Sequence, residues 1–282
     1  MHFTDKDFRK TDFYEKHRSI VSEPTGAGFF IWKPYYILET LRKMADGDLL
    51  LYADSGHAFE SDPSPLFDLC KEQDIILFEN YQGYIFFSRT GLAFTEYNCY
   101  TEVNKCKYWC KNDSFRLLGL EGTAAEEAFL TDASIMLFRK SAKAMEFVEE
   151  WLGACTDRRM ISFDPNEDGK EEVPGFQFHI YDQSLISLIA WKYRLSLYRC
   201  PSQYGNHYKL PQYRQQNEYL MLPYATNPKH NSPYATITLH HRYKPHGFGY
   251  RFRQFLYREA MMLPVWMSKP FSKKLEARKG FY

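Results

Sequence analysis

A helix followed directly by a short apolar strand constrains the fold more than any other feature of this sequence. From Pro34 onward, apolar residues at helical spacing form one stripe, which ends at Asp46-Gly47-Asp48. The next five residues, 49–53 (LLLYA), are continuously apolar, as expected for a strand buried on both faces, and the run stops at Asp54. Open α/β sheets bind ligands beyond the carboxyl ends of their strands. The sequence therefore predicts a site at Asp54.

Helices and strands alternate through the first two thirds of the chain, after a polar segment at residues 1–27 that carries no strong period. Apolar runs predict strands at residues 75–78, 133–138, 195–198 and 236–240. Helices are predicted from residue 62 to about 73, after a capping Ser141 and from Asp182. Such alternation is typical of an α/β domain with a mostly parallel central sheet flanked by helices. We expect one Rossmann-like domain at residues 1–262.

Charge and composition exclude several classes of protein. The formal net charge of +1 argues against a general nucleic-acid binder, so no nucleic-acid partner is expected. Six cysteines without a C-x-x-C pair argue against a zinc ribbon, and we expect free thiols in a reduced compartment. The charged N-terminus is unlike a signal peptide, and no apolar run reaches the ~18 residues of a membrane span. A cytoplasmic protein is therefore predicted.

The C-terminal end of the chain is basic and aromatic. Residues 249–282 carry eight Lys or Arg against two Glu, which is a net charge of +6. Two interpretations are open: peripheral contact with an anionic membrane surface, or an ordinary amphipathic terminal helix with a frayed end. We treat residues 263–282 as a basic C-terminal tail outside the domain.

Asp54 is the first candidate site residue on chemical grounds. A carboxylate is a hard oxygen ligand for Mn²⁺ or Mg²⁺, and these ions bridge the phosphates of nucleotides. Ser55 and Gly56 would form a tight turn after it, in which the glycine lets a ligand approach the backbone. The alternative is a strand-end turn with a capping Asp, since Asp is common in turns.

The sequence around this strand resembles the donor-site region of a group of nucleotide-sugar glycosyltransferases with the GT-A fold. Those enzymes read approximately aromatic-W-x-W/K-P-Y, then a helix, then D-I-L-L-Y-L-D-A-G. This chain has FIWKPY at residues 30–35 and DLLLYADSG at residues 48–56, in the same order and at the same separation. It is also similar, more distantly, to family 8 glycosyltransferases, which carry Asp-x-Asp where this chain has one acid.

The resemblance implies roles for the residues around this strand. Asp54 would bind a metal ion, whereas Trp32, Lys33, Tyr52 and Ser55 would bind the donor. Lys33 would contact the donor sugar or its phosphate, and the point charge of a lysine suits a pyrophosphate. The alternative for Lys33 is a solvated side chain at a helix start, where its charge opposes the helix dipole.

Two later segments resemble further parts of the same enzymes. Residues 131–134 (TDAS) look like the Asn-Ala-Gly segment that lines the sugar pocket, so Asp132 and Ser134 would bond sugar hydroxyls. Residues 182–186 (DQSLI) resemble the D-Q-x-x-L segment that faces the reaction centre, which makes Asp182 and Gln183 the catalytic candidates. The alternatives are a strand-start turn for the first segment and a helix-capping role for Asp182.

A cluster of basic residues, HHRYKPHG at residues 240–247, follows the last predicted strand. Family 8 enzymes have a His there that completes the metal shell and a Lys that holds the pyrophosphate. The resemblance therefore implies His240 or His241 as a metal ligand and Lys244 as a phosphate contact. Strand geometry directs the two histidines to opposite faces, so at most one would coordinate the ion. A core or surface role is the alternative for each histidine.

The resemblance implies a GT-A-like glycosyltransferase, as in polysaccharide biosynthesis, that uses a nucleotide-diphosphate sugar and Mn²⁺ or Mg²⁺. The acceptor would be a glycan, a lipid or a protein, and the family 8 likeness favours retention of configuration. The alternative is an inactive sugar- or nucleotide-binding module, because the second acid is missing. A two-metal nuclease or phosphatase would need clustered carboxylates, which the sequence lacks. The prediction requires Asp54, Asp182 and one of the two histidines to meet at the end of the Asp54 strand.

Overall fold

A computed structural model describes residues 5–80, 104–198, 200–202 and 237–240 of the chain. The helical segments in these residues are α1 Asp5–Phe8, α2 Asp12–Lys16, α3 Arg18–Val21, α4 Gly26–Phe29, α5 Trp32–Leu41, α6 Ser64–Leu69, α7 Asn112–Leu117, α8 Ala142–Cys155, α9 Arg158–Ile161 and α10 Tyr181–Lys192. The strands are β1 Leu49–Ala53, β2 His57–Phe59, β3 Ile75–Glu79, β4 Thr131–Arg139, β5 Leu197–Tyr198 and β6 Thr238–His240. Short 3₁₀ turns occupy Cys106–Tyr108 and Ala124–Glu127.

The main sheet has the strand order β1-β4-β3-β5 and confirms the mixed α/β class. Only β3 and β5 pair in parallel, whereas β4 runs antiparallel to both β1 and β3. The expectation of a mostly parallel sheet is therefore wrong for the described residues. A long connection at residues 80–130 separates β3 from β4, and such a length permits either strand direction. Helix–strand alternation predicts a parallel sheet only where each connection is one crossover helix.

Strand β1 has the predicted bounds but not the predicted burial. It is the outermost strand of the sheet formed by the described residues, and Leu49 is 41% exposed. The rest of β1 is half-buried, whereas every residue of β3 is buried. Among the described residues, the continuously apolar sequence of β1 thus belongs to a strand that is paired on one side. Because the hydrogen bonds of β1 go to β4, the end of β1 lies beside the start of β4.

A second, two-stranded sheet forms where β2 pairs with β6 in antiparallel fashion, with His57 opposite His240. The predicted strand at residues 236–240 is thus observed at Thr238–His240. Since β2 begins three residues after Asp54, this small sheet brings the last strand of the described chain to the end of β1.

The helices cover the sheet through an apolar core. Ser141 caps α8 as predicted, because its Oγ accepts a hydrogen bond from the backbone N–H of Ala144 at 3.1 Å. Helix α8 contacts both α5 and α10, and α10 contacts β4. The side chains of Phe147 and Trp151 from α8 are fully buried there. Helix α6 is shorter than predicted and ends at Leu69.

The N-terminal segment adds three short helices to the same core. Phe8, Tyr14, Ile20 and Val21 are buried and belong to the main apolar cluster. Thr11 caps α2 by accepting a hydrogen bond from the backbone N–H of Tyr14 at 3.1 Å. The segment is therefore an integral part of the domain, although its sequence shows no regular period.

Two further expectations can be compared with the described residues. Cys70, Cys106, Cys110, Cys155 and Cys200 are all buried and free. In the same part of the chain, none of the helices combines the length and the apolar character needed to cross a membrane.

Candidate functional site

A buried lysine joins three separate parts of the fold at the carboxyl end of β1. Lys33, in the first turn of α5, is 5% exposed. Its Nζ lies 3.4 Å from Oδ2 of Asp182 on α10 and 3.6 Å from Oδ2 of Asp54 after β1. It also donates a hydrogen bond to the carbonyl oxygen of Ala133 on β4 at 3.3 Å. The ring centroid of Phe30 lies 4.8 Å from the same nitrogen, in cation–π contact.

The electrostatics of this cluster follow from its burial. Burial raises the pKa of Asp182 to about 7, and this effect exceeds the opposing attraction of Lys33. Burial alone would lower the pKa of Lys33, but the negative charges of Asp182, Asp54 and Asp132 raise it above its ordinary value. Lys33 is therefore charged at neutral pH, whereas Asp182 is close to the midpoint of its titration.

Asp54 is the member of the cluster that solvent reaches most easily. Its side chain is 29% exposed, compared with 3% for Asp182. The hydroxyl of Tyr52 donates a hydrogen bond to Oδ1 of Asp54 at 2.5 Å. Burial raises the pKa of Tyr52, and the charge of Asp54 raises it further, so the phenol stays a donor. The backbone N–H of His57 donates to the Asp54 carbonyl at 2.9 Å and closes the turn that contains Ser55.

Two segments with left-handed backbone lead into this cluster. Residues 26–30 all have positive φ, including Ala27 at 51°, Phe29 at 55° and Phe30 at 66°. Tyr181, directly before Asp182, has φ 45°. The rings of Phe29 and Tyr181 stack with centroids 5.1 Å apart. A non-glycine residue in the left-handed conformation costs roughly 1 to 2 kcal/mol of conformational free energy, and such strain concentrates at functional sites.

Gly28 is required within the first of these segments. It has φ +92°, and a Cβ atom there would lie 2.6 Å from Cα of Val21. Only glycine tolerates both the conformation and this close approach of the two backbones. The indole Nε1 of Trp32 donates to the carbonyl oxygen of Gly26 at 3.0 Å and closes the turn. Trp32 thus holds the turn that precedes Lys33.

His57 belongs to the site, and the sequence reasoning missed it. Its Nε2 lies 2.9 Å from Oγ of Ser134, and its Nδ1 lies 3.1 Å from Oγ1 of Thr238. Its ring stacks on the ring of His240 with a centroid distance of 4.2 Å and an interplanar angle of 16°. The available signal was a histidine directly after the D-S-G turn. His57 connects β4 and β6 to the end of β1.

Asp132 is the second residue of β4, and the start of β4 lies beside the carboxyl end of β1. Its Oδ1 accepts a hydrogen bond from the backbone N–H of Ser134 at 2.7 Å, as in the strand-start turn that was the alternative interpretation. The thiol of Cys200 donates to Oδ2 at 3.7 Å. Burial raises the pKa of Cys200, and Asp132 raises it further. Asp132 therefore has two roles: it holds the turn at the start of β4, and its negative charge helps to raise the pKa of Lys33.

The remaining predicted site residues differ in burial and in their contacts. Ser55 is exposed in its turn, and Nε2 of Gln183 is buried without a hydrogen-bond partner among the described residues. Asp182 does not cap α10, because that helix begins at Tyr181 and Asp182 faces Lys33. His241 and Lys244 lie outside the described residues.

The fit to a divalent ion is incomplete within the described chain. Among residues 5–80, 104–198, 200–202 and 237–240, no group of three or more His, Cys, Asp or Glu could hold a metal ion. Asp54 engages Tyr52 and Lys33, and the ring of His240 faces His57. The described residues therefore supply Asp54 as one candidate ligand but do not complete a metal-binding set.

Two of the three required residues meet in space, and His240 contacts His57, three residues after Asp54. Asp54 and Asp182 share the ammonium group of Lys33, and β6 with His240 pairs with the strand that follows Asp54. No protein-family model matches this chain, and neither do any curated proteins or solved structures. The resemblance to glycosyltransferases therefore rests on the sequence motifs quoted above.

Proposed function

We propose that this chain is a glycosyltransferase that moves a sugar from a nucleotide-diphosphate sugar to a glycan, lipid or protein acceptor. The observation that carries the proposal is the cluster of Lys33, Asp54 and Asp182 at the carboxyl end of β1. This is the position at which open α/β sheets bind ligands. The left-handed segments that precede Lys33 and Asp182 add support, because backbone strain of this kind clusters at functional sites.

Lys33 has a different role in this proposal from the direct phosphate contact implied by the motif. Its ammonium group is surrounded by two carboxylates, a carbonyl oxygen and an aromatic ring, and its side chain is 7% exposed. A phosphate would have to displace one of these partners. We assign to Lys33 the positioning of Asp54 and Asp182, and to Asp54 the contact with the donor.

Asp182 is suited to proton transfer. An acid or base is most effective when its pKa lies near the operating pH, and the pKa of Asp182 is about 7. In transfer to a hydroxyl acceptor, a carboxylate takes the proton that the attacking oxygen loses. The two acids differ in exposure: Asp54 can contact the donor as it stands, whereas Asp182 accepts a proton only from a hydroxyl that displaces one of its buried contacts.

Dependence on Mn²⁺ or Mg²⁺ is a separate part of the proposal. Counting Lys33 against Asp54, Asp132 and Asp182 leaves an excess of carboxylates, which attracts cations. The ligands beyond Asp54 would have to come from outside the described residues or from the donor diphosphate. Activity measured with Mn²⁺ and with EDTA tests this part alone.

The proposed activity is tested by donor hydrolysis and transfer with a panel of nucleotide sugars. We expect Asp54→Ala to abolish turnover while the protein keeps its cooperative unfolding transition. Asp68→Asn is the matched control, because Asp68 is an exposed acid on α6 whose partner is Lys71. Activity of Asp54→Ala near that of the wild type would show that the assignment is wrong.

The second candidate is a binding module of the same kind that does not catalyse transfer. It is favoured by the single acid at Asp54, where family 8 enzymes carry Asp-x-Asp. It predicts nucleotide or sugar binding that is insensitive to EDTA, together with no turnover of any donor. The same assay panel separates the two candidates.

A further inference from the structure

The charged segment after α9 folds into an ordered loop. Lys111, which is 3% exposed, donates a hydrogen bond from Nζ to the carbonyl oxygen of Asp164 at 2.7 Å. The carboxylate of Glu172 accepts from the backbone N–H of Asn112 at 2.9 Å and from the side chain of Asn166 at 2.8 Å. These contacts fix the loop at both ends of its path. A long loop is uncommon in a compact domain unless it has a function.

This loop lines most of a cavity of about 350 Å³. Phe163 and Phe176 supply aromatic surface, and Lys111, Glu172 and the buried His179 supply polar groups. Pockets for small molecules typically have volumes of about 300 to 1,000 Å³ and combine apolar walls with a few polar groups. The cavity is therefore of the size and composition expected for a small ligand such as one or two sugar rings.

Most of the charged groups around the cavity are paired within the protein: Nζ of Lys111 lies 3.6 Å from Asp113, and the carboxylate of Asp164 lies 2.7 Å from Arg158. Lys170 pairs with Asp168 at 3.0 Å, and Glu171 is exposed at the rim. Burial lowers the pKa of His179 to about 3, so its imidazole is neutral at physiological pH. A site with paired charges and a neutral imidazole favours an uncharged ligand over a phosphate or a metal ion.

The residues that line the cavity are distinct from Lys33, Asp54 and Asp182, and a row of aromatic rings connects the cavity to this cluster. Phe163 stacks on Phe178 with centroids 4.4 Å apart, and Phe178 contacts Tyr181 at 5.5 Å. Tyr181 lies 6.3 Å from Phe30, whose ring contacts Lys33. A continuous row of aromatic rings thus runs from the exposed Phe163 to the cluster. His179 also stands three residues before Asp182 in the sequence.

We propose that this loop cavity binds an uncharged sugar, whose ring packs against both Phe163 and Phe176 and whose hydroxyls bond the polar groups around His179. Aromatic faces provide flat apolar surface, and the carboxylate of Glu172 can accept from hydroxyls in addition to its bonds from Asn112 and Asn166. The sugar is one unit of a longer glycan acceptor whose reacting hydroxyl lies at the cluster, and this assignment rests on the proposed function. Sugar binding by itself does not depend on it.

The test is a titration of the full chain with methyl glycosides of glucose, galactose, mannose and N-acetylglucosamine, followed by NMR. Glucuronic acid, glucose 6-phosphate and glucosamine are the charged comparators. We expect at least one neutral glycoside to bind, and Phe163→Ala and Phe176→Ala to weaken its binding by about fivefold to tenfold. Phe59→Ala is the matched control, because Phe59 is 46% exposed on β2 and Phe163 is 47% exposed.

Three results would overturn the inference: no neutral glycoside binds, a charged sugar binds more tightly, or Phe59→Ala weakens binding as much as Phe163→Ala. Asp54→Ala should bind the glycoside like the wild type, which separates this test from that of the proposed function. If the glycoside binds at the loop and no donor is turned over, the sugar site stands and the transferase proposal fails. If donors are turned over and the loop variants bind and react normally, the transferase proposal stands and the sugar site fails.

Discussion

Replacing Asp182 by Asn is expected to change how the free energy of unfolding depends on pH. The folded-state pKa of Asp182 is raised to about 7, compared with about 4 in an unfolded chain. Its contribution to stability is fully present below about pH 4 and is lost as the pH rises towards 7. In this window the folded state holds one more proton than the unfolded state. The stability therefore falls by about 1.4 kcal/mol per pH unit from this group.

His179 contributes the opposite dependence. Burial lowers its folded-state pKa to about 3, compared with about 6.5 in an unfolded chain. Its contribution is present above about pH 6.5 and is lost as the pH falls towards 3. Between pH 4 and pH 6.5 the two slopes have similar size and opposite sign. The wild type should therefore show little net dependence from this pair of residues.

The Asp182→Asn variant removes the pH dependence that Asp182 contributes to the free energy of unfolding and leaves the dependence contributed by His179. Integrating the Asp182 titration between pH 4.5 and pH 6.5 gives a change of about 2 to 3 kcal/mol in the stability difference between variant and wild type. The variant should lose stability on acidification relative to the wild type. Lys33 does not contribute to the difference, because its raised pKa keeps it charged throughout this window.

Urea unfolding at several pH values between 4.5 and 7.5, in the presence of EDTA, measures this difference. Asp68→Asn serves as the control, because an exposed acid with a surface partner should leave the slope close to that of the wild type. His179→Asn is the reciprocal variant and should become more stable on acidification relative to the wild type. If Asp182→Asn and the wild type show parallel curves, Asp182 does not hold a raised pKa and the charge balance described for Lys33 is wrong.

Three further predictions concern single contacts. Lys33→Met should lower the free energy of unfolding, measured in urea, more at pH 8.5 than at pH 6, because Asp182 loses a buried counterion only where it is ionised; equal losses at the two pH values would contradict this. Tyr52→Phe removes the hydrogen bond to Asp54 and should reduce donor turnover about tenfold with little loss of stability; unchanged turnover would separate Tyr52 from the site. Ser141→Ala should cost about 1 kcal/mol through loss of the α8 cap, and thermal unfolding that matches the wild type would refute it.

The sequence by itself determined the local elements of this protein. The apolar run of β1, the strand at β4 and the Ser141 cap of α8 were all predictable, because near neighbours in the chain set periodicity and capping. Asp54 at the end of β1 was predictable for the same reason. The short helices before residue 27 were not, since they lack a regular period and gain their burial from the core they cover.

Tertiary structure alone decided the direction of β4, the partial exposure of β1 and the partners of Lys33. The carbonyl oxygen that accepts from Lys33 belongs to Ala133, 100 residues away in the sequence. The motif around Lys33 suggested a phosphate-binding lysine. In the fold, packing of α5, β1, β4 and α10 buries Lys33 between Asp54 and Asp182 instead. Burial and ion pairing depend on distances through space, and these depend on the whole fold. The sequence therefore located the acids, and only the fold gave Asp182 its pKa of about 7.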